Sequence, residues 1–355
     1  MRLVCTGQSG LGKATLFTQL VERARAAGKV LQVYNVGKRM CEERGVDEQE
    51  ILKLPLPELG AIRRGVFKEI ISDVGGRENS LIETHATFRW ENALFPAFDY
   101  NQFRQLAPDA FATLIDDVDS VWVRLKEAKP GAEYTLKDLM VWREEEMIVT
   151  ETVAGVLERP HYIIPRRDAL DLLYSLIFEP NKRRAYMSFP MSLIRDMPEL
   201  IRDVEQFKET MKKQFIAFDP AAIGEKRLHY ELQQVLDSMG VARSIEIEIL
   251  NKSHRVDVRQ LLDLIPDIDG QIVYRDFKLI DQSQMIVAYI PVVFDSPYPA
   301  SGVERELEYA HNTAKDAFVI CQRGDKLSPF VTKRASRVFA TFEQALAYFK
   351  SKKWV

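Results

Sequence analysis

The sequence predicts an α/β protein of two domains, each built on a parallel sheet with flanking helices, and two observations support this fold class. Short apolar segments alternate with longer segments of helical periodicity along the chain, as in parallel strands joined by crossover helices. The alternation also runs through two cycles, separated by the polar, proline-containing segment 178–184. In a chain of 355 residues, we therefore expect one domain over residues 1–178 and a second over residues 183–355.

The individual elements follow from the same periodicity. In the first cycle, strands are expected at 2–6, 31–36, 80–85, 112–117 and 161–165, and the main helices at 47–74 and 136–156. The second cycle predicts strands at 184–190, 214–220, 284–294 and 316–322, and helices at 193–213, 224–239, 303–314 and 341–352. Segment 244–250 alternates charged residues with isoleucine, which fits either an exposed strand or the edge of a helix.

Composition and charge exclude several classes of protein. The net charge of -3 gives no basic field that would attract a nucleic acid polymer or an anionic membrane. No apolar stretch approaches the roughly 20 residues of a membrane span, and the N-terminus lacks the pattern of a cleaved signal peptide. The three cysteines are widely spaced, and neither they nor the five histidines show metal-ligand spacing. We expect a cytoplasmic protein whose partners are small molecules.

A glycine-rich segment, residues 7–13, lies between the first predicted strand and a helical pattern and has the spacing GxxxxGK. Its glycines allow successive backbone N–H groups to converge on phosphate oxygens, and the lysine supplies a mobile cation. The alternative is an ordinary glycine turn before a surface lysine, which the strand–loop–helix setting disfavours. The candidate phosphate-binding residues are Gly7, Gly10, Gly12, Lys13, Ala14 and Thr15.

The order G-x-x-G-x-G-K-x-T over residues 7–15 resembles the phosphate loop of adenylate kinases, and residues 1–175 as a whole resemble the archaeal type. Ala14 stands where most phosphate loops have a Mg²⁺-binding hydroxyl, and Thr15 follows it, as in many nucleoside monophosphate kinases. The resemblance implies a P-loop kinase-like parallel sheet, with ATP and Mg²⁺ as cofactors.

Further segments extend this resemblance. Residues 34–37 are similar to the second-strand turn that lines the monophosphate pocket in the family, and 81–86 are similar to its I-D-T-H-A segment, with Glu83 in place of aspartate. The resemblance implies that Arg89 and Arg143 contact phosphate and that Glu83, with the threonine of the loop, lies near the metal. From the residues alone, Glu83 is equally a capping or solvated carboxylate, and arginines such as these are more often surface residues.

The segment at the lid position departs from the family pattern. Kinases of this family close an arginine-rich lid over the phosphates, whereas here Arg124, a further candidate phosphate contact, is followed only by Lys126 and Lys129. Phosphoryl transfer depends on such charges to position and stabilise the reacting group. We therefore expect ATP to bind, and leave open whether it is turned over rapidly.

In the second cycle, four segments occur in a characteristic order. They are 186–190 (YMSFP), 274–276 (YRD), 301–303 (SGV) and 306–310 (ELEYA). This order resembles the nucleoside 2-deoxyribosyltransferase family, which includes deoxynucleoside monophosphate N-glycosidases, over residues 183–345. The resemblance implies a Rossmann-like α/β domain that cleaves or transfers the bond between a sugar and a base.

The chemistry of that bond explains the residue types. Its cleavage passes through an oxocarbenium-like state, which a carboxylate stabilises or attacks. We expect Glu306 to be the nucleophile, Asp276 to orient the sugar or protonate the base, and Tyr186 to contact the base or the carboxylate. The further candidate ligand-binding residues are Ser188 at the end of the strand, and Ser301 and Gly302 in a loop before the helix.

Ordinary structural roles are open for the same residues. A glutamate in the first turn of a helix is favoured by the helix dipole alone, and Asp276 is equally an ordinary cap. Gln284 stands where many relatives have an aspartate, so protonation of the substrate is expected to differ. The leading hypothesis is a bifunctional nucleotide-metabolising enzyme that forms homo-oligomers. The alternatives are a switch in which a kinase-inactive P-loop domain gates a glycosidase, and a nucleotide kinase whose second domain only binds ligand.

Overall fold

The computed structural model describes the chain except residues 91–92, 129–133, 192–196 and 240–242; at positions 48, 49, 89, 90, 93, 198, 235, 238 and 239 it describes the backbone alone. The chain divides into two compact units. The first unit comprises Met1–Ile177 and Gly224–Pro266, and the second unit comprises Phe178–Ile223 and Asp267–Val355.

The first unit contains a five-stranded sheet in the order β2-β3-β1-β6-β7, and all its strand pairs are parallel. The strands are β1 (Arg2–Thr6), β2 (Gln32–Asn35), β3 (Ser80–Glu83), β6 (Ala110–Ile115) and β7 (His161–Pro165), and each predicted strand is confirmed to within a few residues. Strands β4 (Thr87–Trp90) and β5 (Ala93–Pro96) form a separate antiparallel pair. The central strands are apolar runs buried on both faces, as in other parallel sheets covered by helices.

Helices cover both faces of this sheet. They are α1 (Lys13–Ala26), α2 (Val36–Arg44), α3 (Glu48–Ile51), α4 (Leu56–Val74), α5 (Tyr100–Leu106), α6 (Val118–Ala128), α7 (Leu136–Val156) and α8 (Ala169–Phe178). The helix predicted over 47–74 is interrupted before α4, because Pro55 lacks an N–H group and disfavours helical geometry in the residue before it. Helix α4 then buries Ile62, Val66 and Ile70 at helical spacing in the core.

The second unit contains another five-stranded parallel sheet, in the order β16-β15-β12-β8-β9. Its strands are β8 (Arg184–Ser188), β9 (Ile216–Phe218), β12 (Met285–Tyr289), β15 (Asp316–Ile320) and β16 (Arg337–Phe339), and a short antiparallel pair joins β13 (Val292–Val293) to β14 (Ser296–Pro297). Its helices are α9 (Pro198–Gln214), α12 (Ala300–Asn312), α13 (Pro329–Thr332) and α14 (Phe342–Ser351). Val204, Phe207 and Met211 of α9 pack in the core of this unit.

Three elements of the second half differ from the predictions. The helix expected at 303–314 begins at Ala300, and the long strand expected at 284–294 ends at Tyr289. Helix α11 (Val258–Asp281) has no counterpart among the predicted elements, because Pro266 interrupts its helical pattern in the sequence. The start of the helix predicted at 193–213 falls partly outside the described residues.

Residues 224–266 pack with the first unit, whereas the sequence analysis assigns them to the second domain. This segment, which we call the arm, contains α10 (Lys226–Met239), the hairpin of β10 (Ser244–Ile249) and β11 (Lys252–Asp257), and the start of α11. Segment 244–250 is thus an antiparallel strand with alternating burial. The arm contacts the rest of the first unit through ion pairs between residues far apart in the sequence, such as Arg227 with Asp119. Local sequence patterns do not reveal such pairs, so the sequence does not predict this packing. Within the described part of the chain, no helix combines the length and apolarity of a membrane span.

Candidate functional site

The glycine-rich loop follows β1 directly, and its three motif glycines adopt conformations that side chains disfavour. The backbone angle φ is +143° at Gly7, +83° at Gly10 and +63° at Gly12. A β-carbon at Gly7 would lie 2.8 Å from the carbonyl oxygen of Leu114, and one at Gly10 would lie 2.8 Å from Cγ of Leu125. Both the path of the loop and its close packing therefore require glycine.

Replacing Gly7 with alanine is expected to weaken ATP binding about tenfold, because the added methyl group displaces the loop or strains its backbone. Titration calorimetry with ATP and Mg²⁺ measures this change. Gly28→Ala is the matched control, since Gly28 also has a positive φ, of +68°, but no atoms within 4 Å of the added carbon. The control should lose some thermal stability and keep its ATP affinity; equal losses of affinity in the two variants would contradict the prediction.

Lys13 is 8% exposed and lies along the inside of the loop. Its Nζ donates hydrogen bonds to the carbonyl oxygens of Gly7 at 2.5 Å and of Gln8 at 3.3 Å. The side-chain amide of Gln8 is buried and has no hydrogen-bond partner at its nitrogen or its oxygen. Ala14 and Thr15 are exposed in the first turn of α1. An ammonium group, an unpartnered amide and the start of a helix together suit the oxygens of a phosphate.

Two arginines contact the outside of this loop. Arg124 donates to the carbonyl oxygen of Gly10 at 3.0 Å and to the carboxylate of Asp116 at 2.6 Å. Arg166, directly after β7, donates from Nε to the carbonyl oxygen of Leu11 at 2.9 Å. The structure therefore brings the predicted residue Arg124 to the loop and adds Arg166, which the sequence analysis did not select.

Arg143 takes a different position from the predicted phosphate contact. Its side chain is 3% exposed, and its two Nη atoms donate to the carboxylate of Glu225 at 2.5 and 3.2 Å. Nη1 also donates to the carbonyl oxygen of Asp116 at 3.1 Å. This guanidinium is thus buried in an ion pair with Glu225 and contacts the backbone of Asp116.

Polar side chains gather where β2 and β3 end. Glu83 is 8% exposed and accepts a hydrogen bond from Nδ2 of Asn35 at 2.7 Å. His85 Nδ1 lies 3.1 Å from Oε1 of the buried Glu146 on α7. Burial, together with the positive charge of Lys13, holds the pKa of His85 below its usual range. His85 is therefore neutral at physiological pH and lies within electrostatic reach of the loop lysine.

Mg²⁺ would need few protein ligands at this site. No three histidine, cysteine, aspartate or glutamate side chains come together as a metal cluster within the described residues. Mg²⁺ bound with a nucleotide takes most of its oxygen ligands from phosphates and water, so one or two protein oxygens suffice. The hydroxyl of Thr15 and the carboxylate of Glu83 are oxygen donors of the required kind.

A pocket of about 110 Å³ lies beside the end of β3. Three polar side chains, Arg63, Thr84 and His85, share it with an apolar wall. The wall consists of Val36, Met40, Ile51, Leu52, Leu59, Phe88 and Ala97. The Arg63 guanidinium lies 5.0 Å from the ring centroid of Phe88, and burial lowers its pKa to about 10, so it stays positively charged at neutral pH. The pocket suits a compact, largely apolar molecule with one anionic or hydrogen-bonding group.

Two predicted features lie outside the described residues. They are the side chain of Arg89 and the lid segment at 129–133.

The second unit brings together three of its predicted site residues. Glu306 lies in α12 and is 8% exposed, and the fully buried Tyr186 and Ser188 lie in β8. The Tyr186 hydroxyl donates to Oε1 of Glu306 at 2.9 Å, and the Ser188 hydroxyl donates to Oε2. Both oxygens of this carboxyl group are therefore held in place by side chains of the central sheet.

Asp276 supplies a second carboxyl group to this site from α11. It is 8% exposed, and its Oδ1 is buried without a hydrogen-bond partner. Burial raises the pKa of Asp276 to about 6, and burial and the charge of Asp276 raise the pKa of Glu306 to about 8. Two carboxyl groups that interact and hold raised pKa values are the arrangement that acid–base and nucleophilic chemistry uses.

Three other predicted residues take positions that the sequence did not indicate. Ser301 and Gly302 do not form a loop before α12 but are exposed in its first turn. The backbone amides of this turn have no acceptors within the helix. Glu306 accordingly lies in the second turn. Gln284 accepts a hydrogen bond from the backbone N–H of Arg184 at 3.0 Å, next to the start of β8. That contact joins two strands of the sheet.

The raised pKa of Glu306 predicts a pH-dependent gain in stability for Glu306→Gln. Because the folded state binds this proton more tightly than the unfolded chain, wild-type stability falls as pH rises from about 4.5 towards 8. Glutamine removes the titration, so its free energy of unfolding relative to wild type should rise by about 2–4 kcal/mol between pH 5 and pH 9. Urea unfolding at the two pH values measures this. A difference between the two proteins that stays constant with pH would contradict the raised pKa.

The comparisons with known proteins concern the first half of the chain. Residues 6–138 match the model of a family described as an AAA domain. The chain is 26% identical over 130 residues to an adenylate kinase of Methanoculleus marisnigri and 28% identical over 127 residues to one of Methanopyrus kandleri. These matches cover 35% and 34% of this chain, and the chain spans 66% and 64% of the two relatives.

Among solved structures, a shikimate kinase from Bacteroides thetaiotaomicron aligns with 50% of this chain and 97% of its own, at 18% identity and a TM-score of 0.35. The sequence matches confirm the coarser part of the prediction, a P-loop domain at the N-terminus that is similar to adenylate kinases. The role of the second unit rests on its own geometry and sequence.

Proposed function

We propose that the first unit binds ATP with Mg²⁺ and transfers its terminal phosphoryl group to a small acceptor in the pocket beside His85. One observation carries this proposal: the pocket with Arg63, Thr84 and His85 adjoins the end of β3, and Lys13 of the phosphate loop lies within electrostatic reach of His85. A donor site and an acceptor site side by side are what phosphoryl transfer requires, because the reaction depends on positioning and charge stabilisation.

The residues have distinct tasks in this proposal. Lys13 leaves the loop carbonyls and neutralises the outer phosphates, while Arg124 and Arg166 hold the loop. Thr15 and Glu83 would hold Mg²⁺, which would supply positive charge to the phosphate groups. Since the lid position offers few arginines in the sequence, the transfer is expected to be slow compared with that of an adenylate kinase.

We infer a second activity for the second unit, the cleavage or transfer of an N-glycosidic bond in a nucleoside or nucleotide. The observation that supports it is the carboxyl group of Glu306, which two hydroxyl groups orient beside a second carboxyl group with an unpartnered oxygen. Ionised Glu306 attacks the anomeric carbon and the sugar–base bond breaks, and the departing base takes a proton from water, while ionised Asp276 orients the sugar. Water or a second base then releases the sugar from the glutamate.

Chromatography of reaction mixtures tests both activities in one experiment. Nucleosides, nucleoside monophosphates and dinucleotides are incubated with the protein, with and without ATP and Mg²⁺, and free base and ADP are quantified. Release of base from any of these compounds supports the second activity, and acceptor-dependent formation of ADP supports the first. Formation of neither product across the full set would exclude both. Size-exclusion chromatography of the same preparation tests the predicted homo-oligomer.

A further inference from the structure

We propose that Glu225, a residue of the arm, is a positioning residue for the phosphate loop and acts on the loop through Arg143. The proposal rests on ATP binding by the first unit. It concerns the arm, which belongs to the first unit although it follows the first two strands of the second unit in the sequence.

The first residues of the arm are held tightly at the end of β6. The backbone N–H of Gly224 donates to Oδ1 of Asp117 at 2.7 Å. Glu225 is 1% exposed, accepts two hydrogen bonds from Arg143, and accepts a third from the backbone N–H of Val118 at 2.9 Å. A buried carboxylate with three charge-assisted or backbone donors is fixed in one orientation.

From Glu225, a continuous series of contacts leads to the loop. Arg143 donates to the carbonyl oxygen of Asp116, the Asp116 carboxylate accepts from Arg124, and Arg124 donates to the carbonyl oxygen of Gly10. Each link contains a charged group, and all of them lie in one compact unit. The position that Glu225 gives to Arg143 therefore determines the orientation of Asp116. The orientation of Asp116 in turn determines how Arg124 contacts the loop.

The free-energy cost of an unpaired buried charge indicates that loss of the Glu225 carboxylate would affect the loop and not only the local packing. A buried guanidinium that loses its carboxylate must find another acceptor or draw in water, because an unpaired charge is strongly disfavoured in the interior. Arg143 already donates to the backbone carbonyl oxygen of Asp116, and the carboxylate of Glu144 lies 3.8 Å from its Nε. A shift of Arg143 away from Glu225 would change its hydrogen bond to the Asp116 backbone, displace the Asp116 carboxylate that Arg124 holds, and so weaken the contact of Arg124 with Gly10.

Glu225→Gln is the direct test, because it removes the charge and keeps the shape. We expect ATP to bind about tenfold more weakly, and the amides of residues 7–13 to exchange hydrogen faster in the ligand-free protein. Glu225→Asp, which keeps the charge, should recover most of the affinity. Glu127→Gln is the matched control, since it removes a different ion pair of the arm, between Glu127 of α6 and Lys252, at the exposed surface.

The double variant Glu225→Gln with Arg143→Gln separates positioning from instability. It removes both buried charges, which proteins tolerate better than the loss of one, and it should bind ATP no more weakly than Arg143→Gln alone. Unchanged affinity and unchanged exchange in a folded Glu225→Gln protein would overturn the proposal, as would tighter ATP binding. If wild-type protein failed to bind ATP, the proposed function would be wrong, whereas faster exchange of the loop amides would still support the positioning role.

Discussion

Glu306→Gln is expected to reduce release of free base by about a thousandfold or more, because an amide cannot form the glycosyl intermediate. Glutamine has nearly the same shape; its amide oxygen accepts from one of the hydroxyl groups of Tyr186 and Ser188 and its NH2 group donates to the other, so the fold should be preserved. The rate of base release, followed by chromatography, is the measurement. Glu308→Gln is the matched control, since that glutamate lies on the same helix but is half exposed and paired with Arg334.

The pH profile of wild-type protein gives an independent check on this role. Since the nucleophile must be ionised and burial raises the pKa of Glu306 to about 8, kcat/KM should increase as pH rises through that value. Asp276→Asn should lower the rate by about a hundredfold and lower the pKa of Glu306, because it removes a neighbouring negative charge. Base release by Glu306→Gln at the wild-type rate would remove Glu306 from the mechanism.

Lys13→Ala is expected to abolish measurable phosphoryl transfer and to weaken ATP binding by about tenfold to a hundredfold. The reason is that the ammonium group of Lys13 lies within the phosphate loop, where it is expected to neutralise the outer phosphates. Calorimetry with ATP and Mg²⁺ and an assay of ADP formation measure the two effects. Lys38→Ala is a suitable control, since Lys38 is an exposed lysine of α2 that pairs with Glu42.

The same variant has an effect that does not require any substrate. Because the charge of Lys13 lowers the pKa of His85, Lys13→Ala should raise that pKa, which NMR titration of the imidazole detects. An unchanged His85 pKa would contradict the placement of the loop lysine beside the acceptor pocket. Base release should be unaffected by Lys13→Ala if the two activities are independent, and it should fall if the first unit gates the second.

Local sequence patterns predicted the features whose determinants are close together in the chain. The apolar runs of the two parallel sheets and the glycine loop with Lys13 are of this kind, because strand burial and loop geometry depend on neighbouring residues. The carboxylate site was predictable to a lesser degree. The motif order selected Glu306 and Tyr186, but the turn of the helix in which Glu306 lies was misplaced, since helix ends depend on local capping that the sequence signals weakly.

Features that depend on distant partners were beyond sequence reasoning. Sequence analysis assigned Arg143 to a phosphate contact because no residue near it in the sequence indicates its partner Glu225, which lies 82 positions later in the chain. Arg166 is the first of two arginines directly after β7. This position lies at the same edge of the sheet as the loop, and sequence analysis can use it to select residues that contact the loop. Gln8 carries no such signal, because many residues are accepted in that place of the loop motif.

The path of the chain between the two units has a consequence for any attempt to study them apart. A fragment that stops near residue 178 retains the first sheet but loses the arm, so Arg143 would be left in the interior without its carboxylate. A fragment that starts there carries the arm with its buried Glu225 exposed to water. Simple truncation at the apparent linker should therefore yield two insoluble products. Separate expression of each unit calls for a linker between residues 177 and 224 in the first unit and between residues 223 and 267 in the second.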